Sequence, residues 1–306
     1  MTLFDGRSLA YAEYGDPAGV PFVFMHGVPS SRLAGAMLHE GACTRGVRVI
    51  APDRPGYGCS DPQPKRAILD WPSDVTALGD ALGLGQFGVI GFSAAVPYVL
   101  ACAVTIPERL SHVAILSGFG PLREPGIMAG MNRESIALYR LALRSPRLGR
   151  LWMKMLGETA KRSPLFVYRQ QMNHLPEVDR AVFDAQDMRG LRIRDLAEAF
   201  RQGSEGPAQE AMLHVQDWGF ALSAVQVDIY LWQGELDRQH PVAMGRYLTR
   251  EIPRCHAVFA PSLGAFGFIA HLDDIFDELL GHPARHTPVH VAGPQVAVVP
   301  PSIGRP

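Results

Sequence analysis

A serine between small residues, at the junction of an apolar strand-like run and a helix-like run, is the feature of this chain with the most chemistry in it. Residues 87–103 read FGVIGFSAAVPYVLACA, so Ser93 stands in Gly91-Phe92-Ser93-Ala94-Ala95. A strand that turns directly into a helix can strain the turn residue and lift its hydroxyl above the sheet as a nucleophile. The plain alternative is a serine that caps the helix; the strand before, the helix after and the small flanking residues favour the nucleophile elbow. A serine hydroxyl needs a base within reach, which turns attention to the 11 histidines. His282, His286 and His290 repeat at a spacing that would align metal ligands on a helix, but Pro283 and Pro288 break it, so no metal is expected. No Walker A sequence and no GxGxxG after a strand occurs, and no cofactor is expected.

The elements that would hold this serine follow from the apolar pattern. Residues 21–25, 47–51, 87–91, 112–116, 227–232 and 256–260 are near-continuous apolar runs, and 9–14 alternates. Runs of that kind predict a mostly parallel sheet covered on both faces. Helices are predicted over 31–43, 71–82, 94–104, 241–251 and 271–280. Strand-helix alternation means α/β, with ligands at the carboxyl ends of the strands. The alternation stops over 121–223, which reads as helices alone and so as a cap over that edge. The core is then 1–120 with 224–285, and 286–306 is a loose tail.

Composition sets outer limits. The chain of 306 residues is 47% hydrophobic with a net charge of −1, enough apolar mass for a large core and a balance that points away from nucleic acid or an anionic membrane as partner. The four cysteines form no CxxC pair or disulfide framework, which reads as reduced thiols in a cytoplasmic protein. Residues 132–169 carry nine Lys and Arg against only Glu134 and Glu158. The plain reading is the solvated face of amphipathic helices whose other face holds Leu141, Leu148, Trp152 and Met155. The sharper one is a docking surface for an anionic substrate or an acidic carrier protein.

Four segments in order carry a resemblance: PFVFMHGVPSS (21–31), APDRPGYGCSDPQP (51–64), the Ser93 elbow, and VDIYLWQGELD (227–237) flanked by DWGFAL and GRYLTREIP. With them the chain resembles the α/β-hydrolase superfamily, in its bacterial HGxP form, over nearly its whole length. The resemblance implies an α/β-hydrolase fold with a helical cap, Ser93 as nucleophile, and the N–H groups of Val28 and Ala94 as oxyanion hole. It places the acid at Asp237, with Glu235 as the weaker candidate. His26, Phe92 and Phe266 fall beside the substrate pocket, although His26 and Asp53 also suit a purely structural role in their loops.

The base departs from the pattern. The family carries histidine in the loop before the last helix, and that position here is Ala265 in PSLGAFG. An alanine cannot take the serine proton. His271 would sit almost two turns into the helix, His256 at the far end of its strand and His240 in the Asp237 loop; His214 has no assignable place. Three functions remain open: a serine hydrolase of acyl bonds with its base missing, by engineering or by nature; a non-hydrolytic cyclase, lyase or isomerase using the oxyanion hole; and a protein that binds a small molecule under the cap without turnover.

Overall fold

The apolar runs at 22–25, 49–51, 87–91 and 113–116 are buried at every residue in the computed structural model, which describes residues 1–185, 188–282 and 291–292. One sheet contains eight strands: β1 Tyr11–Gly15, β2 Val20–Met25, β3 Val47–Pro52, β4 Phe87–Phe92, β5 Leu110–Leu116, β6 Ile229–Gly234, β7 Cys255–Ala260 and β8 Val291–Ala292. They run in the order β1-β3-β2-β4-β5-β6-β7-β8. Strands β2 to β7 pair in parallel, and β1 and β8 are antiparallel edges. The expected parallel α/β sheet is therefore present, and its central strand β4 is buried at every residue, as a doubly covered strand must be. Apart from Val291 and Ala292, the expected tail lies outside the described residues.

Helices α1 His39–Thr44, α2 Trp71–Ala81 and α3 Val96–Thr105 follow the first strands. The predicted helix at 31–43 is in fact a 3-10 segment, Arg32–Leu38, leading into α1. Gly35 explains part of this: its Cα lies so close to Tyr14 and Ala51 that a Cβ would come within 2.8 Å of both, and the narrower turn permits that approach. Between β5 and β6 come α4 Arg133–Arg144, α5 Pro146–Arg162, α6 Pro164–His174, α7 Glu177–Ala185, α8 Met188–Ala199 and α9 Glu205–His214. Then α10 Val242–Glu251 and α11 Leu272–Leu279 complete the chain's helices among the described residues. Apolar residues of α2, α3 and α10 pack one face of the sheet and those of α1 and α11 the other.

The helical insertion is pinned to the loops that leave β2 and β3 at their carboxyl ends. Asp195 of α8 accepts the Ser30 hydroxyl at 2.8 Å and the Ser31 N–H and hydroxyl at 2.7 Å each. Glu198 meets Arg32 at 2.7 Å. The insertion is thus attached beside the edge of the sheet where Ser93 emerges.

Candidate active site

Ser93 directly follows β4 with φ at +62°, a left-handed backbone that a serine adopts only when its surroundings impose it. Gly91 makes room for this turn, since a Cβ there would lie 2.4 Å from Val99 on the following helix. Gly27 does the same from the β2 loop, where a Cβ would sit 3.2 Å from the Ser93 Oγ. The strained turn is the elbow geometry, held by close packing on two sides.

The Ser93 Oγ lies 3.0 Å from the Nε2 of His240. His240 stands in the loop between β6 and α10, three residues after Asp237. Asp237 folds that loop on itself: its Oδ1 accepts the N–H groups of Gln239 at 2.7 Å and of His240 at 2.9 Å. The His240 carbonyl accepts Gln233 Nε2 at 2.7 Å, and Gln233 Oε1 accepts the Gly118 N–H at 2.8 Å. The imidazole is thereby tied to the ends of β5 and β6. This corrects the expectation of a missing base. Ala265 indeed carries no imidazole, but one reaches the serine from the acid's own loop.

Ser117, at the end of β5 with φ at +59°, lies between acid and base. It donates to Asp237 Oδ2 at 2.5 Å and stands 3.1 Å from His240 Nδ1. The direct Nδ1–Oδ2 separation is 3.6 Å, too long for a hydrogen bond. The proton directions follow by elimination. A carboxylate only accepts, so the single Ser117 proton goes to Asp237; Nδ1 then donates to Ser117, and Nε2 is left with the lone pair that faces Ser93.

The Arg54 guanidinium orders the opposite wall. It donates to the carbonyl of His26, to that of Gly27 at 3.1 Å, and to Glu210 of α9 at 2.6 Å. A trans peptide carries C=O and N–H on opposite sides, so holding the Gly27 carbonyl toward Arg54 turns the Val28 N–H away from it. Among the described residues neither the Val28 nor the Ala94 N–H donates to a protein acceptor. Glu210, whose carboxyl burial raises but Arg54 and Arg66 pull down to about 2, bridges the two buried guanidinium groups with a single negative charge.

A cavity of about 490 Å³ reaches the site at Val28 and His240, while Ser93 and Ala94 are not among the residues that line it. Val28, Pro29, His214 and His240 line its floor, and α4, α5 and α6 supply its mostly apolar walls, among them Tyr139, Met153 and Phe166. His26, Phe92 and Phe266 do not line it. His26 is fully buried, with Nδ1 2.8 Å from the Gly27 carbonyl and Nε2 accepting the Arg54 N–H at 3.2 Å. Phe92 and Phe266 form a tilted pair with ring centroids 5.2 Å apart in the apolar cluster that includes Phe183 of α7.

The Ala265 loop has a different occupant. Asp179 of α7 accepts the N–H of Ala265 at 2.8 Å and of Phe266 at 2.9 Å. Burial pushes this carboxyl up to about 6 against the pull of those two amides, and Asp237 adds to the rise. The other candidates are engaged elsewhere: Glu235 with Arg246 at 3.1 Å, His256 with Asp228 at 2.9 Å and His271 with Asp274 at 3.7 Å. Asp53 holds Arg32 through its N–H and side chain, both at 2.6 Å. Among the described residues no cluster of three or more His, Cys, Asp or Glu could hold a metal ion. His286 and His290 lie outside them.

A serine at positive φ, an imidazole 3.0 Å from its hydroxyl and two amide N–H groups without a protein acceptor among the described residues thus stand together at the carboxyl ends of the strands. The model of the α/β hydrolase fold matches residues 20–269, and the chain belongs to that family. It is 26% identical over 258 residues to a 2-hydroxy-6-oxononadienedioate/2-hydroxy-6-oxononatrienedioate hydrolase of Burkholderia vietnamiensis, covering 81% of this chain and 80% of that one. It is 33% identical over 124 residues to a non-heme chloroperoxidase of Streptomyces lividans, 40% of this chain and 45% of the relative, so the match spans less than half of that protein. Among solved structures, an esterase of Thermogutta terrifontis superposes with a TM-score of 0.64 at 22% identity, over 92% of this chain and 94% of that one. At that identity the likeness speaks for the fold alone.

Proposed function

We propose that this chain is a serine hydrolase of ester-type or related acyl bonds, acting on small to medium apolar substrates in the cavity under the insertion. The observation that carries the reading is the 3.0 Å approach of His240 Nε2 to the Oγ of a serine at positive φ. Ser93 attacks the acyl carbon as its proton passes to His240 Nε2. The oxygen that gains charge faces the Val28 and Ala94 N–H groups, which stabilise it where charge develops. The imidazolium keeps its Nδ1 proton on Ser117, which passes the interaction to Asp237, and returns the Nε2 proton to the leaving group. Water, activated by the same imidazole, then releases the acid and restores Ser93. The relatives that hydrolyse their substrates support the class of reaction but not the substrate.

Turnover of p-nitrophenyl esters from two to eight acyl carbons tests the reading. Hydrolysis that disappears in Ser93→Ala and rises with acyl length until the cavity is filled is expected. Equal turnover by wild type and Ser93→Ala would reject it. The protein that only binds a ligand, and the lyase or isomerase, are disfavoured by an imidazole poised to serve the serine in both directions.

A further inference from the structure

Helix α5 turns the wrong residues inward for a plain amphipathic cap helix. The expected apolar face included Leu148, Trp152 and Met155. The face actually buried is Gly149, Met153, Gly157 and Ala160. Small residues let α5 sit close to its neighbours: a Cβ on Gly149 would be 2.8 Å from Ala142 of α4, and one on Gly157 2.5 Å from Ser204. That close seating leaves Leu148, Leu151, Trp152 and Met155 in one stripe along the outside, joined by Phe166 of α6. These five are between 40% and 63% exposed. Single exposed apolar residues are ordinary; five large ones together mark a contact surface.

Two further observations identify what that surface meets. Trp152, Met155 and Phe166 also line the cavity, so the stripe is continuous with the cavity wall. Beside it on α4 and α5 stand Arg144, Arg147, Arg150 and Arg162, all exposed, and none meets a carboxylate within 4.0 Å among the described residues. The whole-chain charge of −1 conceals this local excess of nine cations over two acids.

We infer that the α5–α6 face docks on an anionic lipid surface, with the stripe in the acyl boundary and the arginines at the phosphates, so that the cavity opens toward the lipid. A bilayer offers phosphate at the depth of the guanidinium groups and hydrocarbon beneath, matching both halves of the patch. A half-exposed tryptophan at the seam suits the headgroup boundary. A second copy meeting this face across a two-fold would bring the same arginines together. An acidic carrier protein would answer the cations and leave the stripe against charge. Docking is independent of turnover, so its test does not stand or fall with the proposed hydrolysis.

Flotation of the full chain with vesicles of 30% phosphatidylglycerol in phosphatidylcholine tests it, against pure phosphatidylcholine. Binding to the anionic vesicles at least about tenfold tighter is expected, from roughly fivefold per cation near the surface, weakening as salt rises and with a blue-shifted Trp152 emission absent in Trp152→Phe. Leu148→Glu/Leu151→Glu lies outside the cavity; it is expected to lose at least about tenfold in vesicle binding while keeping the wild type's circular dichroism and urea-unfolding midpoint. No binding to anionic vesicles would overturn the inference. So would binding that survives this double variant, a dimer that the variant dissociates, or capture of an acidic carrier in place of the vesicles.

Discussion

At the scale of single residues, the site depends on where an imidazole sits in space and not on where it falls in the chain. His240 → Ala is expected to lower kcat on a p-nitrophenyl ester by about 10³- to 10⁶-fold with KM nearly unchanged, as loss of a triad base does. Ala265 → His is expected to give no gain, because the loop amides beside it already hold Asp179. A hundredfold gain in that variant would instead make the vacated position the true seat of the base. Ser117 is the positioning residue between acid and base. Ser117 → Ala leaves Nδ1 facing a carboxylate 3.6 Å away; a fall in kcat of about 10- to 100-fold is expected, equivalent to about 1.5–3 kcal/mol for a hydrogen bond to a charged group. Ser117 → Thr keeps the hydroxyl and is expected to restore most of it, and the pH profile of Ser117 → Ala is expected to move while KM holds. A merely structural serine would move neither.

At the scale of elements, two of the carboxylates that join the insertion to the core, Glu210 and Asp179, respond to pH in opposite directions. Glu210 of α9 has a folded-state value near 2, below its ordinary 4.5. Its stabilisation is fully present above pH 4.5 and is lost as pH falls toward 2. Glu210 → Gln strands Arg54 and Arg66 in the interior and is expected to destabilise by about 3–5 kcal/mol in urea unfolding. Because Arg54 orients the Gly27–Val28 peptide, a loss of kcat larger than the change in KM is expected in whatever fraction remains folded. Asp179 of α7 has a folded-state value near 6 against an ordinary 3.8. The folded protein binds the extra proton, so stability declines as pH rises from about 4 to about 6, by at most about 3 kcal/mol. In Asp179 → Asn that decline is expected to vanish: the difference in unfolding free energy between variant and wild type grows in the variant's favour from pH 4 to pH 6 and is flat above. A difference that stays constant across that window would contradict the assignment.

At the scale of the whole molecule, the sheet was legible because each strand is an apolar run closed by glycine or polar turns, and a doubly covered parallel sheet needs nothing subtler. The elbow was legible for the same local reason: Gly91, Ser93 and Ala94 are neighbours in sequence as in space. The insertion showed itself as a long interval without strand pattern. What local pattern does not carry are pairings across the chain. Asp179 meets Ala265 and Glu210 meets Arg54 over separations of 86 and 156 residues, and neither leaves a periodicity to read. His240 was visible three residues after Asp237, but a rule of chain order placed the base after the last strand. The signal that would have found it is the Asp-x-x-His spacing before Pro241, a tight turn that keeps both side chains at one strand end. Helix α5 misled for a related reason: glycines count as weak in a helical pattern, yet close packing makes them the buried face.

The central claim is that His240 activates Ser93. A fluorophosphonate probe, with the labelled residue located by mass spectrometry, measures this most directly. In the wild type Ser93 is expected to be labelled rapidly, and in His240 → Ala at least about 10³-fold more slowly, with Ala265 → His matching the wild type. Equal labelling rates in wild type and His240 → Ala, or fast labelling that appears only when a histidine is placed at 265, would contradict it.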